Sequence, residues 1–287
     1  MMIQNQIKTV LFLGGLTGLL IAIGGLLGGR SGLLIGLLFA GILNFVSYWF
    51  SAKIVLWMYK AKEAERKEQA LVYSIVEDIA KKASLPMPKV YIIETPQSNA
   101  FATGRNPDHA VVAVTRGILQ LLTKEELCGV LAHELGHVKN RDILISTIAA
   151  TIAGVISYIA MIARWGAIFG GFGGKDNERG GGLIEILVLS IIAPLMAMII
   201  QMAISRSREY LADETGAKLV KDPEALARAL EKIEKNVAHY PFQAVGTTNA
   251  TAHLFIHNPF KGKSMLNLFS THPATEARCQ RLRSMKV

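Results

Sequence analysis

Five consecutive residues, His133-Glu134-Leu135-Gly136-His137, carry the densest chemistry in the chain. Two histidines four residues apart share one face of an α-helix, roughly 6 Å apart, so their imidazoles can converge on one ion. Glu134 is turned about 100° from His133, which sets its carboxylate beside such an ion rather than on it. Zinc lowers the pKa of a bound water to about 7, and an adjacent carboxylate can take the proton as that water attacks a carbonyl. A catalytic zinc takes three protein ligands and keeps one position open, so a third ligand is needed. Ser207-Arg208-Glu209-Tyr210-Leu211-Ala212-Asp213 offers Glu209 and Asp213 at i and i+4. One of these carboxylates can bind metal while the other orients a ligand histidine. Taken alone, the pair also reads as solvated charges at a helix start.

The elements that must hold these residues are legible in outline. Thr123 and Glu126 form a capping box that opens a helix running to about Arg141, with the histidine motif inside it. Upstream, Tyr59–Lys82 reads as a charged helix ending near Pro86-Met87-Pro88. Lys89–Glu94 and His109–Thr115 read as strands, separated by a Gly/Asn/Pro-rich loop that includes Asn99–Gly104. The C-terminal part is expected to be mostly helical, over Glu209–Leu219 and Pro223–Asn236. A less regular stretch, Ala238–Ser270, precedes a short helix after Pro273.

Composition supplies the setting. Hydrophobic residues make up 51% of the 287 and charged residues only 18%, against roughly 25% charged in an average soluble domain. The deficit is concentrated in four charge-free runs of 20 to 22 residues: Thr9–Gly29, Ser31–Ala52, Ile143–Ala163 and Ile186–Ser205. About 20 apolar residues cover the hydrocarbon core of a bilayer, so each run predicts a membrane span. The expected layout is a transmembrane hairpin in 1–52, the first part of a soluble domain carrying the histidine motif in 53–142, a second hairpin in 143–205 and the rest of the domain in 206–287. The first hairpin turns around Gly28–Gly32. Gly14 and Gly18, and Gly32 and Gly36, have the spacing of close helix contacts.

The net charge of +9 is a matter of location. Lys8, Lys53, Lys60, Lys62, Arg66, Lys67, Lys139, Arg141, Arg206 and Arg208 flank the spans on one side, against Arg30, Arg164, Lys175 and Arg179 on the other. The positive-inside rule then puts both termini and the histidine motif at the cytoplasmic face. Two crossings separate His137 from Glu209, which returns them to the same face. Asp142, just before the third run, is expected to pair with Arg206 or Arg208. No nucleic-acid motif and no phosphate-binding loop with its terminal Lys-Ser/Thr is present, so neither nucleic acid nor ATP is an expected partner. Cys128 and Cys279 lie on the cytoplasmic side, and no disulfide is expected. Nothing in the sequence sets the oligomeric state.

H-E-L-G-H followed by E-Y-L-A-D, with four spans and the N-A-F-A-T-G loop, resembles the HtpX heat-shock membrane metalloproteases, which are similar to the CAAX prenyl protease and to Oma-type proteases. The resemblance covers nearly the whole chain. It implies a mainly α fold with a small β-sheet, four transmembrane helices and a cytoplasmic zincin-type, gluzincin-like protease domain. It further implies one zinc ion held by His133, His137 and Glu209, with Glu134 as general base and Asp213 supporting a ligand. Asn99, Ala100, Phe101, Ala102 and Thr103 would belong to the edge-strand region against which a substrate strand is laid. Thr271-His272-Pro273 also fits the pattern. His272 there is suited to stabilise the oxyanion of the tetrahedral intermediate, or alternatively to cap the last helix. The implied activity is cleavage of misfolded or damaged membrane proteins at the cytoplasmic face of the inner membrane. Two alternatives are a protease cutting within the bilayer, which the charges flanking the motif disfavour, and a non-catalytic zinc scaffold, which would favour four ligands rich in cysteine.

Overall fold

The computed structural model describes residues 2–149, 152, 206–239, 256 and 273–287. They form α1 (Met2–Met58), β1 (Lys62–Glu63), α2 (Ala70–Ala83), β2 (Lys89–Ile93), β3 (Ala100–Thr103), β4 (Val111–Thr115), α3 (Arg116–Leu121), α4 (Lys124–Asn140), α5 (Arg206–Val220), α6 (Pro223–His239) and α7 (Thr275–Arg283). The architecture is mostly helical with one small mixed sheet.

α1 does not run straight. Gly29 adopts φ +54°, and Gly24 and Gly32 lie so close that a Cβ on either would strike the other's backbone. Residues eight apart on a straight helix stand about 12 Å apart, so the chain doubles back at Gly29 into two antiparallel arms. Asn44 donates to Thr17 Oγ1 across the seam at 2.7 Å. Gly32 and Gly36 sit in this seam, whereas Gly14 and Gly18 have no described neighbour within 4 Å of where a Cβ would stand. One stretch, Gly29–Met58, is long and apolar enough to cross a membrane among the described residues. The expected third and fourth spans lie outside the described residues, except that 143–149 is helical.

The predicted helix over Tyr59–Lys82 is shorter in the structure. Lys60 takes φ +50°, the chain turns, and Lys62–Glu63 pairs antiparallel with β2 before α2 begins at Ala70. The charged residues of this stretch suited a helix and a solvated turn equally, and the backbone turn decided between them. β2 and β4, rich in β-branched residues, run parallel, and β3 pairs antiparallel with β4. The order β1-β2-β4-β3 leaves β3 at an edge. Ala100–Thr103, read as loop from its Gly/Asn/Pro-rich neighbourhood, is therefore a strand.

α4 lies at the centre. Its Leu131 and Leu135 pack with Val72, Ile75, Ile79, Val112, Val114, Leu226, Leu230 and Ile233 in the main core. Its N-terminus carries the expected capping box: Thr123 Oγ1 accepts from Glu126 N at 3.3 Å, and Glu126 Oε2 accepts from Thr123 N at 2.9 Å. Arg141, in the left-handed region at φ 56°, ends the helix. On the other face of the sheet, Val55, Leu56 and Tyr59 at the end of α1 pack on Ile93, Phe101, Val111 and Ala113.

Candidate metal centre

Small residues bring α5 to α4. A Cβ on Gly216 would stand 2.7 Å from the His133 backbone nitrogen, and Gly136 meets the Ala212 backbone. Only glycine allows two backbones this close. The crossing carries Glu209, two helical turns before Gly216, to the histidines.

His133 Nε2 and His137 Nε2 stand 3.2 Å apart. Glu209 Oε2 lies 3.8 Å from the first and Glu209 Oε1 3.7 Å from the second. One ligand atom from each of the three residues can be chosen within 4.8 Å of the others. Tetrahedral zinc with bonds of about 2.0–2.2 Å places its ligand atoms roughly 3.3–3.6 Å apart, close to these separations. His133 and Glu209 are buried, and His137 keeps 18% of its side chain exposed, so the triangle is open on one side.

The tautomers follow from the outer partners. His133 Nδ1 lies 2.8 Å from Asp213 Oδ1, and His137 Nδ1 lies 3.1 Å from Asp142 Oδ1. Carboxylates accept, so each Nδ1 is the protonated nitrogen and each Nε2 lone pair points at the shared centre. Two lone pairs facing each other at 3.2 Å repel unless a proton or a metal cation sits between them. The charge balance has the same sense: Glu134, Glu209, Asp142 and Asp213 surround the centre against Arg208 and Arg278. A divalent cation suits both requirements, and His133, His137 and Glu209 are the residues placed to hold it.

The ionisation of the metal-free protein reflects this imbalance. Burial opposes charge on His137, but the carboxylates of Asp142, Glu209 and Glu134 outweigh it and push the imidazole up to about 10. His133 moves the other way, lowered chiefly by burial. Burial pushes Glu134 up to about 8, although Ala102 N–H donates to its Oε2 at 2.9 Å. Asp213 is held down at about 2 because Arg278, in front of it, overcomes the effect of burial. A bound cation favours the carboxylate form of Glu134.

Of the residues picked out in the sequence, His133, Glu134, His137, Glu209 and Asp213 meet in this cluster. Asn99 flanks β3, which supplies Ala102 to Glu134. Asn99 Oδ1 accepts from Ile256 N at 3.3 Å. His272 lies outside the described residues. Asp142 has a partner that the sequence reading did not name: its carboxylate accepts from His137, while Arg208, half of the expected pairing, acts on it electrostatically. Its position just beyond the left-handed Arg141 folds it back onto the helix end. Arg278 was missed altogether. This guanidinium, 2% exposed, donates from Nε and Nη2 to Asp213 at 2.8 and 2.6 Å and from Nη1 to Ile256 O at 3.1 Å. Its Nη1 also lies 3.7 Å from Glu209 Oε2. In the sequence it is one of several arginines in a charged terminal helix, with no local signal to separate it. Cys128 lies near Lys82 and Asp78 of α2, away from the cluster.

The sequence model of peptidase family M48 matches residues 66–286. A protease HtpX homolog of Desulforapulum autotrophicum is 56% identical over 279 residues, covering 97% of this chain and 89% of that protein. A protease HtpX homolog of Aquifex aeolicus is 56% identical over 268 residues, covering 92% and 88%. Among solved structures, S. mikatae Ste24p aligns with a TM-score of 0.51 over 98% of this chain and 66% of that one; at 19% identity the likeness is one of fold.

Proposed function

The chain belongs to peptidase family M48 and is a metallopeptidase, and from that premise we propose that it is a membrane-embedded zinc endopeptidase that cleaves misfolded or damaged membrane proteins at the cytoplasmic face. The observation that carries the reading is the convergence of His133, His137 and Glu209 on one point with the Glu134 carboxylate beside it.

A zinc ion held there would lower the pKa of a bound water to about 7 and polarise a substrate carbonyl. Glu134, placed beside the ligands, would be the group to take a proton from such a water and to return it to the leaving amine. Asp213 and Asp142 keep the two imidazoles in the tautomer whose Nε2 faces the centre. Asn99 C=O accepts from Thr115 N at 3.0 Å, so alternate residues of β3 turn toward β4. Ala102 N–H points away from β4, to Glu134. With the Ala102 N–H held by Glu134, the outward-facing groups of Ala100 and the C=O of Ala102 form an edge to which an extended substrate can pair beside the base. His272 is proposed to stabilise the oxyanion.

The membrane setting rests on the four charge-free runs and the asymmetry of flanking lysines and arginines. The exposed Leu34, Ile35, Leu38, Ile42 and Phe45 on Gly29–Met58 suit a lipid-facing surface. Zinc content and casein cleavage of Glu134→Gln test the mechanism. The variant should keep one ion per chain and lose cleavage. Undiminished cleavage would remove Glu134 as base, and a wild type that binds zinc without any cleavage would favour the scaffold alternative.

A further inference from the structure

The end of β3 is fastened to the helix that leaves the metal centre. Thr147, completely buried in helical residues 143–149, donates its hydroxyl proton to Ile143 O at 2.6 Å. That proton being used, Thr103 Oγ1 is the donor in the 3.0 Å contact with Thr147 Oγ1. The same oxygen accepts from Gly104 N at 3.4 Å. Thr147 is thus a double acceptor for the last residue of β3 and the turn after it. Gly104 turns sharply there with φ +147°, and a Cβ on it would stand 2.5 Å from His109 O.

Five residues before Thr147, Asp142 accepts from His137 Nδ1. Just beyond it, Ile148, Ala149 and Ile152 pack with Leu16 of the α1 hairpin. One short stretch therefore touches a candidate metal ligand, the edge strand and the apolar hairpin. From the outer face, Phe101 of β3 meets Tyr59 with ring centroids 5.6 Å apart.

We propose that Thr147 is a positioning residue for substrate binding, setting the height of β3 over α4 so that a strand paired to β3 presents its carbonyl beside Glu134. The inference rests on the endopeptidase reading and deepens it by joining substrate engagement to the packing of the apolar helices. A displacement of about 1 Å in a bound substrate can cost roughly 100-fold in rate, so two hydrogen bonds at the strand's end have leverage on catalysis. Thr147→Val keeps the volume and leaves Thr103 Oγ1 and Gly104 N without their acceptor. Thr147→Ser keeps the acceptor.

The test uses the full chain in detergent micelles, with fluorescein-labelled casein as probe. In a Glu134→Gln background, which binds without cutting, Thr147→Val should weaken casein binding about ten-fold or more, and Thr147→Ser should bind within a few-fold of the parent. With Glu134 intact, Thr147→Val should raise KM, and zinc should stay at one ion per chain. Thr103→Val, which removes only the donor, should weaken binding in the same direction by less, and decides the matter if Thr147→Val does not fold. Casein affinity equal to the parent's, a serine variant as defective as the valine one, or zinc lost in step with binding would each overturn the proposal. Failure of the endopeptidase reading is separate: it shows as undiminished cleavage by Glu134→Gln alone.

Discussion

Replacing Arg278 with methionine tests whether the carboxylates behind the metal centre are held by one buried cation. The guanidinium makes two short hydrogen bonds to Asp213 and one to Ile256 O, and both charged partners are almost fully buried. Methionine fills similar space without charge. It leaves Asp213 with His133 Nδ1–H as its remaining donor among the contacts described above, although burial opposes the carboxylate's charge. Removing one partner of a buried pair costs about 3–5 kcal/mol, whereas replacing both partners is often near neutral. At roughly 2–4 °C per kcal/mol for a domain of this size, the melting temperature of chelator-treated Arg278→Met should fall by about 6–20 °C. Asp213→Asn alone should be costly as well, and the double variant should lose less than the sum of the two by about 1–3 kcal/mol. The assay is thermal unfolding by circular dichroism, in detergent with a chelator. A drop under about 3 °C for Arg278→Met, or strictly additive losses, would show that the Arg278 guanidinium does not hold the Asp213 carboxylate.

Three further outcomes follow from the same geometry. His137 is raised to about 10 and Glu134 to about 8 in the metal-free protein. Their protonated forms therefore favour folding below the ordinary values, and that stability is lost as pH rises through the shifted ones. The melting temperature of chelator-treated protein should fall between about pH 6.5 and 10, while zinc-loaded protein, with an ion in place of the proton on the cluster, should hold flatter; parallel pH profiles would contradict this. Gly216→Ala places a methyl 2.7 Å from the His133 nitrogen, so α5 must back away and carry Glu209 with it. This should cost about 1–3 kcal/mol and weaken zinc retention against a competing chelator, and unchanged retention would show that the crossing does not set the site. Cys128→Ser should leave zinc content unchanged, and a loss of zinc would bring a thiolate into the ligand set.

The chemistry of α4 was legible because it is local. The capping box, the four-residue spacing of the histidines and the offset of Glu134 are fixed by helix geometry alone. Glu209 and Asp213 were legible as a pair at i and i+4, but their roles needed the α4–α5 crossing, which glycines at 136 and 216 permit and no spacing rule announces. Asp142 was read from its closeness to the membrane-side arginines. Its contact with His137 depends on the left-handed backbone at Arg141. Arg278 reaches Asp213 across 65 residues of chain, and a long-range bond of that kind leaves no trace in a charged terminal helix. Local composition hides the strand at Ala100–Thr103 among glycine, asparagine and proline neighbours, since only pairing with β4 makes it a strand; the family resemblance was what pointed to an edge strand there. The turn at Lys60 was hidden by a charge pattern that a helix would also accept.

X-ray absorption at the zinc edge of the purified full chain reads out directly whether His133, His137 and Glu209 hold the ion. One zinc per chain is expected, with two imidazole nitrogens at about 2.0–2.1 Å, one carboxylate oxygen at about 2.0–2.2 Å and a further light-atom ligand from water. Sulfur scattering near 2.3 Å, or a spectrum unchanged in Glu209→Ala, would contradict it.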